Sequence, residues 1–191
     1  MSPILGIWAS AQQPALNASS FESIATVTVG AGGSSAIEFT SIPSTFTHLQ
    51  IRGISKSNRT DDYADIFTMR FNGDTGTNYA YHILNGNGAN AGASSGTSTG
   101  SPLSIMAPAN LSSSNIFGAA VVDILDYANT NKYKTSRILT AQDQNNSEGR
   151  LYFTSQLWQN TNAITSIKFT SLYGTGFLQY SSFALYGIKG A

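Results

Sequence analysis

The sequence contains no cysteine among its 191 residues. A disulfide framework and a thiolate metal site are therefore excluded, and stability must come from the core or from association of subunits. Charge is also scarce: Asp, Glu, Lys and Arg make up 10% of the chain, against roughly 25% in ordinary soluble domains. The ten basic and ten acidic residues balance to a net charge of zero. No basic cluster is present that would favour nucleic acid as a partner.

Long apolar runs are missing as well. None approaches the roughly 18 residues of a membrane-spanning helix, so we expect neither a membrane partner nor a targeting segment. Hydrophobic residues still make up 41% of the chain, which is enough for a core. Ser, Thr, Asn and Gly take the places that charged residues usually hold. Such a surface suits contact with another protein or with neutral sugars.

Residues 1–20 are predicted to form an arm, and residues 21–191 a single domain. Four apolar residues, Ile4, Leu5, Ile7 and Trp8, precede a linker rich in Gln, Pro, Ala and Ser. Full burial of such side chains is worth roughly 1.5–3 kcal/mol each. We therefore expect them to dock onto a neighbouring subunit or another partner. The alternative is a disordered terminus.

The clearest strand pattern lies in residues 47–84. Leu49 and Ile51 alternate with polar neighbours, which predicts a half-buried strand. Asn72-Gly73 between two strand-like runs is the strongest hairpin signal in the chain. A second hairpin is predicted over residues 21–42, with its turn at the glycines of residues 30–33.

The remaining pattern repeats strand and turn, giving roughly nine or ten strands with turn signals about every 8–14 residues. Residues 116–127 are the most apolar run and predict a central strand buried on both faces. Residues 85–101 hold no apolar side chain larger than Ala. They predict a mobile surface loop or a segment that only a partner orders. The spacing predicts an all-β fold, a jelly-roll-like antiparallel β-sandwich with an extended N-terminal arm.

No set of residues requires catalysis to explain it. His48 and His82 lack the neighbours of a metal site or a nucleophile, so a structural or interface role is expected. Four carboxylates could together supply the oxygen ligands that Ca²⁺ prefers, although the EF-hand pattern is absent. They are Asp61, Asp62, Asp65 and Asp74. Ion pairs of Asp123 and Asp126 with Arg137 or Lys132 are a structural alternative for the other acidic groups. We predict no enzyme activity, no metal and no cofactor.

Tyrosine is abundant beyond what one core needs, with nine in the chain. Tyr buries area while keeping a polar tip, which suits subunit contacts and also stacking on sugar rings. The charged stretch of residues 56–62 is predicted to be an exposed loop. The candidate residues for an interface or for glycan contact are Arg59, Asp61, Asp62, Tyr63, Tyr81 and Trp158.

The chain resembles a family of virion structural proteins from tailed bacteriophages. Four segments carry the resemblance: SFESIATVTVGAGGSSAIEFTSIPSTFTHLQIRG, RFNGDTGTNYAYHIL, VVDILDYANTNKYKT and SSFALYGIKG. The opening SPILGIWASA is similar to the N-terminal arms of phage structural proteins. The likeness covers most of the chain and is weakest over residues 85–101. The sequences of these segments are distinctive, but they contain no residues that indicate a particular chemistry.

The resemblance implies a β-sandwich protein on the virus particle, assembled in the host cytoplasm. We expect a capsid decoration (cement) or head-fibre protein that forms a homotrimer and binds the major capsid protein or tail components. The expected contacts are the arm and the uncharged, Tyr-rich surface. The alternative is a tail fibre or receptor-binding module that recognises host-surface carbohydrate.

Overall fold

The structure, a computed structural model, describes residues 20–144 and 149–190. Within these ranges the chain forms twelve strands and no helix, and hence no helix that could cross a membrane. The strands form two antiparallel sheets that pack face to face. The prediction of an all-β antiparallel sandwich is therefore confirmed. The four predicted arm residues, Ile4, Leu5, Ile7 and Trp8, lie outside the described residues.

Eight strands form one sheet and four form the other. In chain order they are β1 (Phe21–Thr28), β2 (Ala36–Phe39), β3 (His48–Ser55), β4 (Ala64–Phe71), β5 (Tyr79–Gly86), β6 (Ala91–Thr99), β7 (Leu103–Pro108), β8 (Gly118–Leu125), β9 (Lys134–Gln142), β10 (Arg150–Trp158), β11 (Ile167–Ser171) and β12 (Ser182–Ile188). The large sheet has the order β1-β12-β3-β8-β9-β10-β5-β6, and the small sheet the order β2-β11-β4-β7.

The two sheets differ in width because two strand pairs are added to one of them. The chain changes sheet repeatedly between the set β1, β12, β3 and β8 and the set β2, β11, β4 and β7, and β7 packs against β8, β9 and β10 of the large sheet. The pairs β5-β6 and β9-β10 extend the large sheet beyond β8. The small sheet can cover only one face of the large sheet. The opposite face of the large sheet is exposed.

The core lies between the sheets and is rich in aromatic rings. Leu49 and Ile51 of β3 are fully buried, as the alternation predicted. Phe67 of β4 stacks on Phe177 with ring centroids 3.9 Å apart, and Phe177 meets Phe183 edge-on. Each such side chain contributes about 1.5–3 kcal/mol when taken out of water, so this cluster fixes how the sheets pack.

The predicted hairpin at Asn72-Gly73 is wrong, although the turn itself forms. Both residues have positive φ, 52° and 67°, and Asp74 N donates to Phe71 O over 2.9 Å, as in a type I′ turn. The chain then crosses to the other sheet: β4 pairs with β11 and β7, while β5 pairs with β10 and β6. Which strands pair is decided by contacts between residues that are distant in sequence. The local turn motif carries no information about these contacts.

The predicted hairpin over residues 21–42 is also wrong. β1 pairs with β12 in the large sheet, and β2 pairs with β11 in the small sheet. The glycine-rich connection spans the two sheets. Both strands present apolar side chains to the same core, buried on β2 and partly buried on β1. Their local alternation is therefore that of a hairpin even though they lie in different layers.

Within residues 85–101, where a loop was predicted, residues 85 and 86 end β5 and residues 91–99 form β6. β6 pairs along its length with β5 and has almost no buried side chain. The ring of Tyr81 lies directly over Gly96, where a Cβ would approach Tyr81 Cε1 to 2.6 Å. An aromatic ring that covers a cross-strand glycine stabilises an edge strand that has no packing side chains of its own.

The stretch of residues 56–62 is only partly exposed, against the prediction of an exposed loop. Lys56 is 2% exposed. Its Nζ donates to Ser112 O over 3.0 Å and to Ser113 O over 2.5 Å, which ties two loops together. Burial lowers the pKa of Lys56. A buried ammonium persists here because backbone carbonyls replace the water it loses.

Candidate functional site

β9 and β10 bury several polar side chains and expose several apolar ones, although Ile138 and Trp158 on these strands are buried as usual. On β9, Ser136 and Thr140 point inward and are buried, while Leu139 points outward. On β10, Gln156 is fully buried whereas Phe153 is 47% exposed. Strands of a free-standing sandwich normally show the reverse alternation. The inversion marks the outer face of the large sheet as a surface suited to a partner.

Buried hydrogen bonds hold this inverted pattern in place. Gln156 Oε1 accepts from Ser104 Oγ over 2.7 Å, and Gln156 Nε2 donates to Met69 O over 3.1 Å. Ser104 Oγ also accepts from Met69 N over 3.1 Å. The network joins β10 to β4 and β7 of the small sheet. A one-residue register slip would place Gln156 outward and lose these bonds, so the network fixes which face is exposed.

The strand register aligns the outward apolar residues across neighbouring strands. Val121 of β8 lies opposite Leu139, Leu139 opposite Phe153, and Phe153 opposite Leu84 of β5. Leu151 and Ile54 flank this row. We name these six side chains the outer apolar face: Ile54, Leu84, Val121, Leu139, Leu151 and Phe153. Each is between 37% and 62% exposed. β8 is therefore central but buried on one face only, against the prediction that both would be buried.

A polar row borders the outer apolar face. Gln50 Nε2 donates to Asp123 Oδ1 over 2.8 Å, and Arg137 lies 3.8 Å from Asp123 Oδ2. Arg52 Nε donates to Gln50 Oε1 over 2.9 Å. The predicted ion pair of Asp123 and Arg137 is confirmed, and so is that of Asp126 with Lys132. Asp123 is thus paired with Arg137 at the border, where Arg52 remains a cation without a carboxylate partner among the described residues, and the side chains at the centre of the face are uncharged.

A shallow depression lies at the β5-β6 side of the face, with a volume of about 360 Å³. Leu84 and Phe153 line it together with Ala93, His82 and Ser155. Its lining is predominantly apolar, and it is open to solvent. Such a hollow can accept an apolar side chain from a partner. His82 at its rim is exposed, while the other histidine, His48, accepts at Nδ1 from Asp126 N over 3.0 Å.

Four of the predicted contact residues do cluster, at the loop after β3. Arg59 Nε donates to Asp61 Oδ1 over 2.6 Å and its Nη1 lies 3.5 Å from Asp62. The hydrogen bond from Arg59 lowers the pKa of Asp61. Tyr63 is 43% exposed, and the Arg59 guanidinium lies 4.6 Å above the ring of Tyr173. The contact of Tyr173 with Arg59 could not be predicted from the sequence, because the two residues are more than one hundred positions apart.

The four carboxylates considered for calcium do not come together. Asp65 is buried, and its Oδ2 accepts from Ser57 Oγ over 2.5 Å and Ser171 Oγ over 2.6 Å. Asp74 lies beyond the far end of β4, where its carboxylate accepts from Asn78 and Trp158. Among the described residues no group of three or more His, Asp or Glu side chains could hold a metal ion.

The other two predicted contact residues are covered. Trp158 is 1% exposed and packs beside Tyr79 and Phe71. The prediction that it contacts a partner or glycan is wrong, because it faces the core at the end of β10. Tyr81 is half-buried over Gly96. The strongly exposed tyrosines are Tyr63, Tyr133, Tyr173 and Tyr180.

No protein-family model, curated protein or solved structure matches this chain. The inverted alternation of β9 and β10 is therefore the strongest indication of function. In the sequence, Leu151 and Phe153 alternate with Tyr152 and Thr154 and so form one side of a strand. Nothing local in the sequence says that this side faces outward.

Proposed function

We propose that this protein is a structural subunit of a tailed-bacteriophage particle, of the capsid decoration or head-fibre type. It binds neighbouring virion subunits through the outer apolar face and through its N-terminal arm. The observation that carries the proposal is the inversion on β9 and β10, which exposes Leu139 and Phe153 while Gln156 is buried. An exposed apolar patch of a few hundred Å² is often functional even on a monomeric protein.

The fold supports the same function. The strand orders β1-β12-β3-β8 and β2-β11-β4-β7 support the proposal of a jelly roll, a fold that viral capsid proteins use. The proposed role is mechanical, since area burial and shape fit hold subunits together. A neutral, weakly charged surface makes such contacts insensitive to salt. The proposed assembly is a homotrimer, and light scattering that finds a stable monomer would contradict it.

Deletion of residues 1–20 tests the role of the arm. We expect the truncated protein to fold but to be absent from particles, because the contacts made by Ile4, Leu5, Ile7 and Trp8 are lost. Circular dichroism monitors folding, and mass spectrometry of purified particles monitors incorporation. Hundreds of copies per particle would identify a decoration protein, and tens or fewer a fibre. Incorporation of the truncated protein at wild-type level would contradict a role of the arm in binding to the particle.

A carbohydrate-binding role is the second candidate, favoured by the exposed loop cluster. Arg59, Asp61 and Asp62 supply hydrogen-bonding groups beside the exposed rings of Tyr63 and Tyr173. A glycan array discriminates the two functions. Binding that is lost in Tyr173→Ala and kept in Leu139→Glu would favour the receptor role. Absence of binding to any glycan would favour the structural role.

A further inference from the structure

We propose that the outer apolar face of one subunit binds residues 4–8 of a second copy of this chain. The inference rests on the proposed structural function and names the surface that receives the arm. Both surfaces are apolar and uncharged. Residues 1–20 contain no Asp, Glu, Lys or Arg, and the six side chains of the face contain none either.

The chemistry of the two surfaces is complementary. An extended segment adds its alternate side chains along one face, as a strand does. Docked across the row of Leu84, Phe153 and Leu139, Ile7 and Trp8 would meet only apolar side chains. The hollow of about 360 Å³ beside Leu84 offers room for a large ring. The bordering Asp123 and Arg137 lie 3.8 Å apart. Arg52, opposite Val121, donates to Gln50 and lies outside the stretch from Leu84 to Leu139.

The size of the face argues against face-to-face pairing of two subunits as its only contact. The face spans five neighbouring strands by two rows of side chains, about 24 by 13 Å. Two such faces pressed together bury about 600 Å² of planar area, short of the roughly 1,200 Å² of stable interfaces. An arm that reaches over from a neighbour adds its own buried surface to the contact.

The area of the face also favours an arm that comes from a second copy of the chain. A five-residue extended segment is about 17 Å long and two strands wide, which covers roughly half of the face. The rest is covered only if the subunit that carries the arm follows it onto the face. The described chain begins at Ser20 beside β12, where Lys189 N donates to Ser20 O over 3.0 Å. From there residues 9–20 can span about 40 Å, enough to reach a neighbour.

Trp8 provides the readout, because the chain has two tryptophans and the other, Trp158, is 1% exposed. The difference in emission between wild type and Trp8→Phe isolates Trp8. We expect acrylamide to quench Trp8 weakly in the full-length wild type and severalfold more strongly in Leu139→Glu. The matched control is Leu111→Glu, since Leu111 is 49% exposed against 47% for Leu139 and lies outside the face. It should keep Trp8 shielded.

Folding of each variant is checked by the emission of Trp158 and by circular dichroism. Leu84→Gln is the second face variant, chosen because Leu84 is 62% exposed and its replacement leaves the core intact. Association measured by sedimentation should weaken about tenfold or more in both face variants, as expected for a central contact residue. A Trp8 that is open to acrylamide in the wild type overturns the proposal.

Mixing two defective variants tests whether the arm comes from a second copy. Trp8→Ala keeps the face, and Leu139→Glu keeps the arm. Each alone should fail to associate, while the mixture should form a heterodimer with one intact arm-face contact. Trp8 shielding that is independent of dilution, with no heterodimer, would place the arm on its own subunit and overturn the proposal. Association that survives Trp8→Ala but not Leu139→Glu would instead indicate face-to-face pairing and also overturn it.

Particle composition separates this inference from the proposed function. If purified subunits show no arm-face contact but are still incorporated into particles, the inference fails and the proposed function stands. If the arm-face contact forms in solution but no particle contains the protein, the proposed function fails and the contact stands.

Discussion

Trp158 donates a hydrogen bond from Nε1 to Asp74 Oδ2 over 2.8 Å, which joins the end of β10 to the turn that crosses between the sheets. Asp74 also accepts from Asn78 Nδ2 over 2.9 Å and from Gly76 N over 2.8 Å. One carboxylate thus orders the turn and fixes a core tryptophan. These hydrogen bonds explain the presence of a carboxylate at residue 74 without a metal ion.

Asp74 should make stability depend on acid pH. Hydrogen bonds from Asn78 and Trp158 lower its pKa, so the folded state favours the carboxylate. This contribution is present above the unfolded pKa near 4 and is lost as the pH falls through the lower folded value. At neutral pH Asp74→Asn should lower the free energy of unfolding by about 1.5–3 kcal/mol and flatten its decline in acid. Urea unfolding monitored by Trp158 emission measures both.

The control for this prediction is Glu38→Gln. Glu38 pairs with Lys168 at 3.3 Å on the exposed surface, and such pairs contribute about 0–1 kcal/mol. Its unfolding curve should nearly overlay the wild-type curve at neutral pH. An Asp74→Asn protein as stable as wild type would show that the turn does not need the carboxylate.

Tyr79 should limit stability in alkali. Burial raises the pKa of Tyr79 to about 12, because the phenolate would lose water between Phe71 and Trp158. The stabilisation is complete below the unfolded pKa of about 10 and is lost as the pH rises toward 12. Thermal unfolding of Tyr79→Phe across this range should show a shallower loss than wild type. Burial also raises the pKa of Tyr127, so the loss should be reduced but not abolished. Parallel curves would refute the assignment.

Two buried serines should respond oppositely to removal of the hydroxyl. Ser104→Ala leaves Met69 N and Gln156 Oε1 without their partner, and should cost about 1–3 kcal/mol of unfolding free energy. Ser136 Oγ is buried and has no hydrogen-bond partner among the described residues. Ser136→Ala should therefore be neutral or stabilising. Chemical denaturation of both variants checks the contrast, and equal losses would argue against the Gln156 network.

The stability of edge strand β6 should depend on Gly96. A Cβ there would lie 2.6 Å from Tyr81 Cε1, so Gly96→Ala must displace the ring that covers the strand, at a cost of about 1–3 kcal/mol. Hydrogen exchange of the β6 amides should accelerate. Gly86→Ala is the control, because its nearest contact would be an ordinary 3.8 Å. Unchanged exchange in Gly96→Ala would show that Tyr81 does not hold β6 in place.

Much of the strand inventory could be predicted from alternation. Leu49 and Ile51 identified β3 and its buried face because packing on one side imposes a period of two. Asn72-Gly73 identified a turn with two positive φ values. It did not identify the sheet that each flanking strand joins, since that depends on β10 and β11, which are far away in the chain.

Less of the candidate site than of the fold could be predicted from the sequence. Leu151 and Phe153 alternate with Tyr152 and Thr154, and hydrophobicity alone would turn the first pair inward. The buried partners of Gln156, supplied by β4 and β7, decide the opposite orientation. β6 gave no strand signal at all, because its Ala, Gly, Ser and Thr residues are ordered by the ladder to β5 and by the ring of Tyr81.

The outer apolar face as a contact between virion subunits is the central claim. Its most direct test is incorporation into particles of full-length wild type, Leu139→Glu and Leu111→Glu, measured as copy number by quantitative mass spectrometry. We predict wild-type copy number for Leu111→Glu and a loss of about tenfold or more for Leu139→Glu. Equal incorporation of the two variants, with both folded, would contradict the account.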